Sequence, residues 1–582
     1  MSRVIGRQAL SYNARLRLGL LALAFALTAC GAPKASAPAG GSAASGQAAG
    51  VPAQPKILNV VLVGEPRALT MWKETTTGNI IHVHELITNA LIGYNANAEP
   101  IPRLAVAPPS VEQGTWKVNP DGTMETTFNL QPNARWHDGT PFTARDVAFS
   151  WKAQVEPRSE VFVRTLRTGA VDRIDTPNDK TVVMHWQKPY GFADSLIFWD
   201  FTPLPAHVLE SVFDREVNDF NQHAYWSDEK VFVGAGPYRL VRWEKGAQME
   251  LEAFDQYYLG RPKIDRIVIN FVQDDNTATA RVLAGEMDIA WGGAWDRANM
   301  DLVRSRGVGD FVLSRENYSH IVFQFKDMAE PIDLARDVRL RRALAHAADK
   351  SGVNQVVTDG LGIPSDSWIP PEDPRYKAAE PFIQKYSLDP QRAQQLFAEA
   401  GWTKGGDGLL RNSAGQTFDC VVRGVTGGVQ AASVIADSWR AVGVDTQVEE
   451  LPPALNRNLE ARATYKCIEH SSRTLGRTAL EHLHSSNAMF PENRYSGSNR
   501  GSYVNPALDR QIDAFFAAVG IDDRLQRERE VLQTLTAEVP MTPTYIGVNK
   551  HFQKNGVTGN QAKTGQDIMN SQTWNVYEWD KQ

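Results

Sequence analysis

The sequence predicts an α/β protein built as more than one domain. Three observations carry that reading. The chain has 582 residues, too many for a single hydrophobic core. Apolar residues make up 42% of it and charged residues 22%, the balance of an ordinary globular protein. Strand-like and helix-like stretches alternate, most plainly from Phe418–Val422 through Val434–Val442 to Val444–Leu451, a βαβ-like run whose helix ends at Gly443.

In chain order, the first 29 residues read as a signal peptide. Arg3, Arg7, Arg15 and Arg17 precede the apolar run Leu18–Ala29, which is too short for a permanent membrane helix. The run ends in Leu27-Thr28-Ala29-Cys30-Gly31, which resembles a bacterial lipobox and implies lipidation at Cys30, hence anchoring without a membrane span. Residues 30–55 are then a tether of Ala, Gly, Ser and Pro, unable to bury a core. Losing the four arginines takes the net charge from −6 to −10. No basic block or basic-aromatic stripe is present, so nucleic acid is not an expected partner.

Folding is expected to begin at Lys56 with the buried strand Ile57–Val63, followed by a helix over Ile80–Leu91. His82 and His84 on that helix are two apart, point to different sides and make a poor metal pair. Asn119-Pro120-Asp121-Gly122 is a turn signal, so Trp116–Val118 and Thr123–Leu130 should form a hairpin. Thr143 reads as a helix N-cap with Asp146 as its capping acid, and Phe142 and Val147 are spaced as a staple. The glycines of Val233-Gly234-Ala235-Gly236-Pro237-Tyr238 permit close backbone approach ahead of the strand Arg239–Trp243. This is no phosphate loop, because Gly-Lys-Ser/Thr is missing. In the helix starting at Asp337, Arg339, Arg341 and Arg342 read as a solvated face with structural ion pairs. Asp389-Pro390 starts another helix, which Gly401 ends. Cys420 and Cys467 read as two separate buried thiols on strands, with pairing the alternative for an exported protein.

The run Pro102-Arg103-Leu104-Ala105, then Asp121-Gly122-Thr123, then Trp136-His137-Asp138-Gly139-Thr140-Pro141-Phe142-Thr143-Ala144 and Phe149-Ser150-Trp151 is similar to the signature block of the peptide/nickel-type extracellular solute-binding proteins of ABC importers. The 233–238 block, Tyr257–Asp265, Leu283–Ile289, Asp337–Asp349, Asn505–Asp509 and Pro540–Tyr545 resemble the same family. The resemblance implies a two-lobed, periplasmic-binding-protein-like fold with a hinge. The divisions are lobe I at 56–87, 216–316 and 548–582, an inserted subdomain at 88–215, and lobe II at 317–547. It implies a monomer that closes over a small-molecule or peptide ligand and docks on membrane permease subunits, with no covalent chemistry and no cofactor.

The ligand is less legible. Peptide-binding members carry an acidic stretch where this chain has Cys467-Ile468-Glu469-His470-Ser471-Ser472-Arg473-Thr474-Leu475-Gly476-Arg477. Two arginines there make Arg473 and Arg477 candidates for clamping an anionic group. The resemblance places the loop after Ile289 at the cleft, so Trp291 and Trp295 are candidate stacking residues, with Tyr318, Trp368 and Tyr503 as further wall. A metal- or metallophore-binding protein of the same fold is the alternative, because Cys467, His470, His482 and His484 crowd one region. Hydrolysis is a more distant reading: Glu481-His482-Leu483-His484 lacks the spacing of a zinc hydrolase motif.

Overall fold

The computed structural model describes residues 54–73, 81–160, 170–196, 201–315, 317–425, 428–456, 458–476, 478–561 and 571–582. The expected signal peptide, Cys30 and Arg477 lie outside the described residues. No helix among those residues is long and apolar enough to cross a membrane.

The first strand, β1 (Ile57–Val63), is the apolar run seen in the sequence. Helix α1 covers Ile81–Ile87 and does not reach Leu91. It ends there because the following carbonyls serve other segments. Gly236 N–H donates to Ile87 O at 3.1 Å, Leu104 to Ala90 O at 3.1 Å, and Ala105 to Leu91 O at 3.0 Å.

Strands β2 (Trp116–Val118) and β3 (Met124–Asn129) form the expected antiparallel hairpin. Its turn closes with Gly122 N–H on Asn119 O, and Gly122 adopts φ +86°. Helix α2 (Ala144–Val155) starts where Thr143 predicts. The Asp146 carboxylate accepts the Thr143 N–H at 2.8 Å and also the Ala206 N–H at 2.9 Å, tying the helix start to a second segment. Strands β4 (Val171–Asn178) and β5 (Thr181–Trp186) complete a four-stranded sheet in the order β2-β3-β5-β4. Trp116, Phe128, Trp136 and Trp186 sit in its core.

Next come β6 (Tyr238–Glu244), β7 (Gln248–Ala253), β8 (Arg266–Val272), α3 (Asp275–Leu283), β9 (Ile289–Trp291), α4 (Arg297–Ser305) and β10 (Gly309–Ser314). The chain then enters a second sheet system with β11 (Asn317–Phe323), α5 (Val338–Ala347), α6 (Lys350–Thr358), β12 (Ile363–Pro364), α7 (Pro390–Glu399) and β13 (Asp419–Gly424). It continues with α8 (Val429–Val442), β14 (Asp445–Glu450), β15 (Ile468–Thr474), α9 (Pro506–Ala517), α10 (Ile521–Glu538) and β16 (Met541–Ile546). Strand β17 (Asn549–Lys554) returns to the first system.

The two lobes are thus a seven-stranded sheet, β10-β17-β9-β1-β8-β7-β6, and a six-stranded sheet, β12-β16-β11-β15-β13-β14. The chain crosses between them after Ser314 and again after Ile546. The crossings lie side by side: Ser314 pairs with Asn549, Tyr318 pairs with Ile546, and Gly547 N–H donates to Asn317 O at 2.8 Å. Two adjacent short connectors are the geometry of a hinge.

Two expectations are corrected here. Cys420 and Cys467 are not separate thiols; they form a disulfide with Cα atoms 5.3 Å apart. The parallel pairing of β13 with β15, Val422 opposite Ile468, brings the two strand starts together, a register that sequence spacing does not reveal. Arg339 does pair with Asp337, but Arg341 is no solvated residue: it is 3% exposed. Its guanidinium donates to the carbonyls of Leu334, Ala335 and Glu538, and Arg342 donates to Ala537 O. Together they satisfy the C-terminal carbonyls of α10.

Candidate functional site

The site grows from the C-terminal part of β15. Strand β11 flanks β15 along its whole length, with Asn317 opposite Thr474. On the other side β13 ends at Gly424, opposite His470. Beyond His470, therefore, β15 has a strand neighbour on one side only among the described residues. Such an edge can accept an extended chain by backbone pairing.

Period-two alternation sets the side chains. Glu469, Ser471 and Arg473 share one face, with Tyr318 opposite Arg473 in the register. Glu469 is fully buried, and its carboxylate accepts two bonds from Arg462, at 2.7 and 3.1 Å, and one from Arg500 at 3.0 Å. Burial pushes the Glu469 carboxyl up, while Arg462 pulls it back. Arg500 also donates to Ser471 Oγ at 3.2 Å, and Arg473 is held by the Ser498 carbonyl. A cavity of about 200 Å³ opens against this cluster, lined among others by His470, Ser471, Ser472, Arg462, Arg500 and Tyr545. His470 faces Thr544 Oγ1 at 3.2 Å through Nε2, and burial lowers its pKa to about 4, so it is neutral near pH 7.

A second cavity, about 490 Å³, lies between the four-stranded sheet and the six-stranded lobe, lined by Lys188, Tyr190, Glu481, His484, Asp513 and Phe516 among others. Below it the residues after β5 are fastened to α9 and α10. Gly191 N–H donates to Phe516 O at 2.6 Å, Phe192 packs on Phe515 and Phe516, and Arg524 pairs with Asp194 at 3.5 Å.

Of the residues the sequence singles out, Tyr318, Trp368 and Tyr503 share one apolar cluster, and Arg473 stands beside Tyr318. Trp291 and Trp295 lie in the other lobe, 1% and 4% exposed, in two different clusters. Trp295 is packed on Phe311 and Phe552, and its Nε1 donates to Gly292 O. The cysteine and histidine crowd does not converge: Cys467 is in the disulfide, and no group of three metal-ligating side chains is found among the described residues. Nothing in the sequence points to Arg462 or Arg500. Arg500 stands alone in Ser498-Asn499-Arg500-Gly501-Ser502, a stretch with no motif.

Residues 99–470 match the family model of bacterial extracellular solute-binding proteins, family 5, and the chain belongs to that family. Oligopeptide-binding protein AppA of Bacillus subtilis is 25% identical over 95% of this chain and 97% of its own length. The periplasmic oligopeptide-binding protein OppA of Salmonella typhimurium is 24% identical over 76% of this chain and 80% of its own. A Brucella ovis protein carrying a peptide-binding ABC transporter name is 27% identical over 299 residues, so the chain spans about half the length of that relative. Among solved structures, NikA of Brucella suis in complex with Fe(III)-EDTA superposes with a TM-score of 0.72 at 18% identity, covering 90% of this chain and 100% of NikA. B. subtilis AppA in complex with a nonapeptide gives 0.65 at 19%, covering 91% and 100%. These likenesses define a two-lobed periplasmic-binding-protein fold.

Proposed function

We propose that this protein is the substrate-binding component of an ABC importer. It captures a small, peptide-like organic solute in the cleft between its lobes and delivers it to a membrane permease. The observation that carries this reading is the open edge of β15 past His470, lying beside a charged cavity on a fold of this family. An extended peptide satisfies such an edge through its own backbone. Of the residues singled out in the sequence, Arg473 is the one we assign to the bound solute; Tyr318, Trp368 and Tyr503, 0%, 2% and 8% exposed, pack in the core cluster beside it. In the same reading 88–215 is a subdomain inserted in lobe I, 317–547 is lobe II, and 548–582 returns to lobe I. The protein works as a monomer, exported and held to the membrane through lipidated Cys30 and the 30–55 tether.

Native mass spectrometry of residues 56–582, taken directly from expression, tests the reading. A co-purifying mass released on denaturation and sequenced as peptide supports it. If the released mass is a metal chelate or a sugar, the peptide assignment is wrong. Scattering adds a second readout, because a ligand that closes the hinge shrinks the radius of gyration.

A further inference from the structure

We infer that Arg500 is a specificity-determining residue: with Arg462 behind it, it makes the 200 Å³ cavity beside β15 a receptor for a carboxylate of the bound solute. The inference rests on the proposed peptide-like ligand and names the chemical group that this part of the cleft selects.

The argument starts from hydrogen bonding. A guanidinium has five N–H donors in a fixed fork. Arg462 commits Nε and Nη2 to Glu469 and Nη1 to Asn456 O. Arg500 is committed at one end only. Its Nη1 holds Glu469 and Ser471 Oγ, while Nε and Nη2 have no partner among the described residues. The side chain is 19% exposed and lines the cavity, with one end of its guanidinium tied to Glu469 and Ser471. A guanidinium oriented in this way needs little further ordering to bind an anion.

Charge points the same way. Arg462 and Arg500 share the single carboxylate of Glu469, and Arg473, held by the Ser498 carbonyl, adds a further cation beside it, so positive charge exceeds negative around the cavity. Neighbouring Arg423 adds no excess, since it is paired with Glu449 at 3.1 Å. The other polar groups of the wall include the hydroxyls of Ser471, Ser472 and Tyr545, which can donate to an anion, and no further acid lines the cavity among the described residues. His470 contributes no charge near neutral pH. The volume suits one side chain or a chain end rather than a whole peptide. Strand addition along 471–474 would carry a peptide's side chains or its terminus past this wall.

The carboxylate can come from a chain terminus or from an Asp or Glu side chain. The test separates them. A library of synthetic peptides of graded length is prepared as free acids, as C-terminal amides, and with side-chain carboxyls esterified. Binding to residues 56–582 is read by native mass spectrometry and calorimetry. Blocking the recognised carboxylate is expected to weaken binding about 10- to 100-fold. Sensitivity to amidation alone assigns the terminus; sensitivity to esterification alone assigns the side chain. Arg500→Gln is expected to bind blocked and unblocked peptides alike, while Glu469 keeps its paired Arg462. Arg500→Lys, which retains charge without the fork, is expected to fall between them. Peptides that bind the unaltered protein equally well blocked or free overturn the inference and leave peptide capture standing. If no peptide binds in any form, peptide capture itself falls, and this assignment with it. The blocking series uses the unaltered chain, so its outcome does not depend on the variants folding.

Discussion

The Nε2 of His137 donates to the carbonyl oxygen of Gly236, 3.0 Å away and 99 residues later, while the His137 N–H donates to Gly234 O at 2.8 Å. The two stretches that stand out most in the sequence are therefore one structural unit, with the end of α1 beneath it. A Cβ added at Gly234 would sit 1.9 Å from Ile87 O, and one at Gly236 2.4 Å from Leu86 O. Since both obstacles are backbone, neither can turn aside. Gly234→Ala and Gly236→Ala are each expected to cost about 3 kcal/mol or more, read as a lower urea midpoint. A midpoint matching the parent's would remove the close approach as the reason for glycine.

Stability should fall as the solution becomes acidic. Burial lowers His84, His137 and His470 to a pKa of about 4 each. Unfolded histidine titrates near 6.5, so between pH 6.5 and 4 the unfolded chain binds protons that the folded chain refuses. Their contribution is complete above pH 6.5 and shrinks by up to about 1.4 kcal/mol per histidine per pH unit below it. Urea midpoints at pH 7.5 and 5 measure the drop. His137→Gln should flatten the curve by one histidine's share.

The Cys420–Cys467 bridge closes a loop of sequence separation 47. Loop-closure entropy gives it roughly 4 kcal/mol against the unfolded chain. The double variant Cys420→Ala/Cys467→Ala should lose stability of that order, and the parent, residues 56–582, should show no reactive thiol without reductant. One reactive thiol or more would mean that the bridge does not form in solution.

Arg341 and Arg342 close the C-terminal end of α10 from a different helix. Arg341→Met removes the partner of three carbonyls, one buried and two half-buried, and is expected to cost about 2–4 kcal/mol. Arg342→Met frees one carbonyl of a half-exposed pair and should cost about 1 kcal/mol. Equal losses at the two positions would show that charge at the helix end, rather than hydrogen bonding, dominates.

Arg524 and Asp194 join the residues after β5 to α10, with each side chain mostly buried. Arg524→Met should speed hydrogen exchange at the amides of Gly191 and Phe192 by about tenfold, leaving β1 and β8 protected. Uniform exchange across both regions would mean that this fastening does not open on its own.

Local signals were readable in the sequence. The Asn119–Gly122 turn, the Thr143 helix start and the Asp389-Pro390 helix start each depend on neighbouring residues alone, and each formed as expected. What escaped depended on partners distant in the chain. The end of α1 was set by Gly236, the disulfide by the register of two parallel strands, and the burial of Arg341 by a helix nearly two hundred residues later. The candidate site follows the same division: β15 could be read as a place, but the attachment of Arg500 to Glu469 could not, because nothing near Arg500 marks it.

The paired crossings make the six-stranded lobe a guest in a host hairpin. Every strand of its sheet falls between Asn317 and Ile546, and the two host strands on either side, β10 and β17, are already antiparallel partners ending at Ser314 and Asn549. The host's own ends also meet, Lys56 against Asp580. Tension applied to the two ends would therefore load only the host, and the guest would ride outside the line of force. A genetic splice joining Ser314 to Asn549 by a tight turn would, by the same topology, delete one lobe without leaving the other a broken strand.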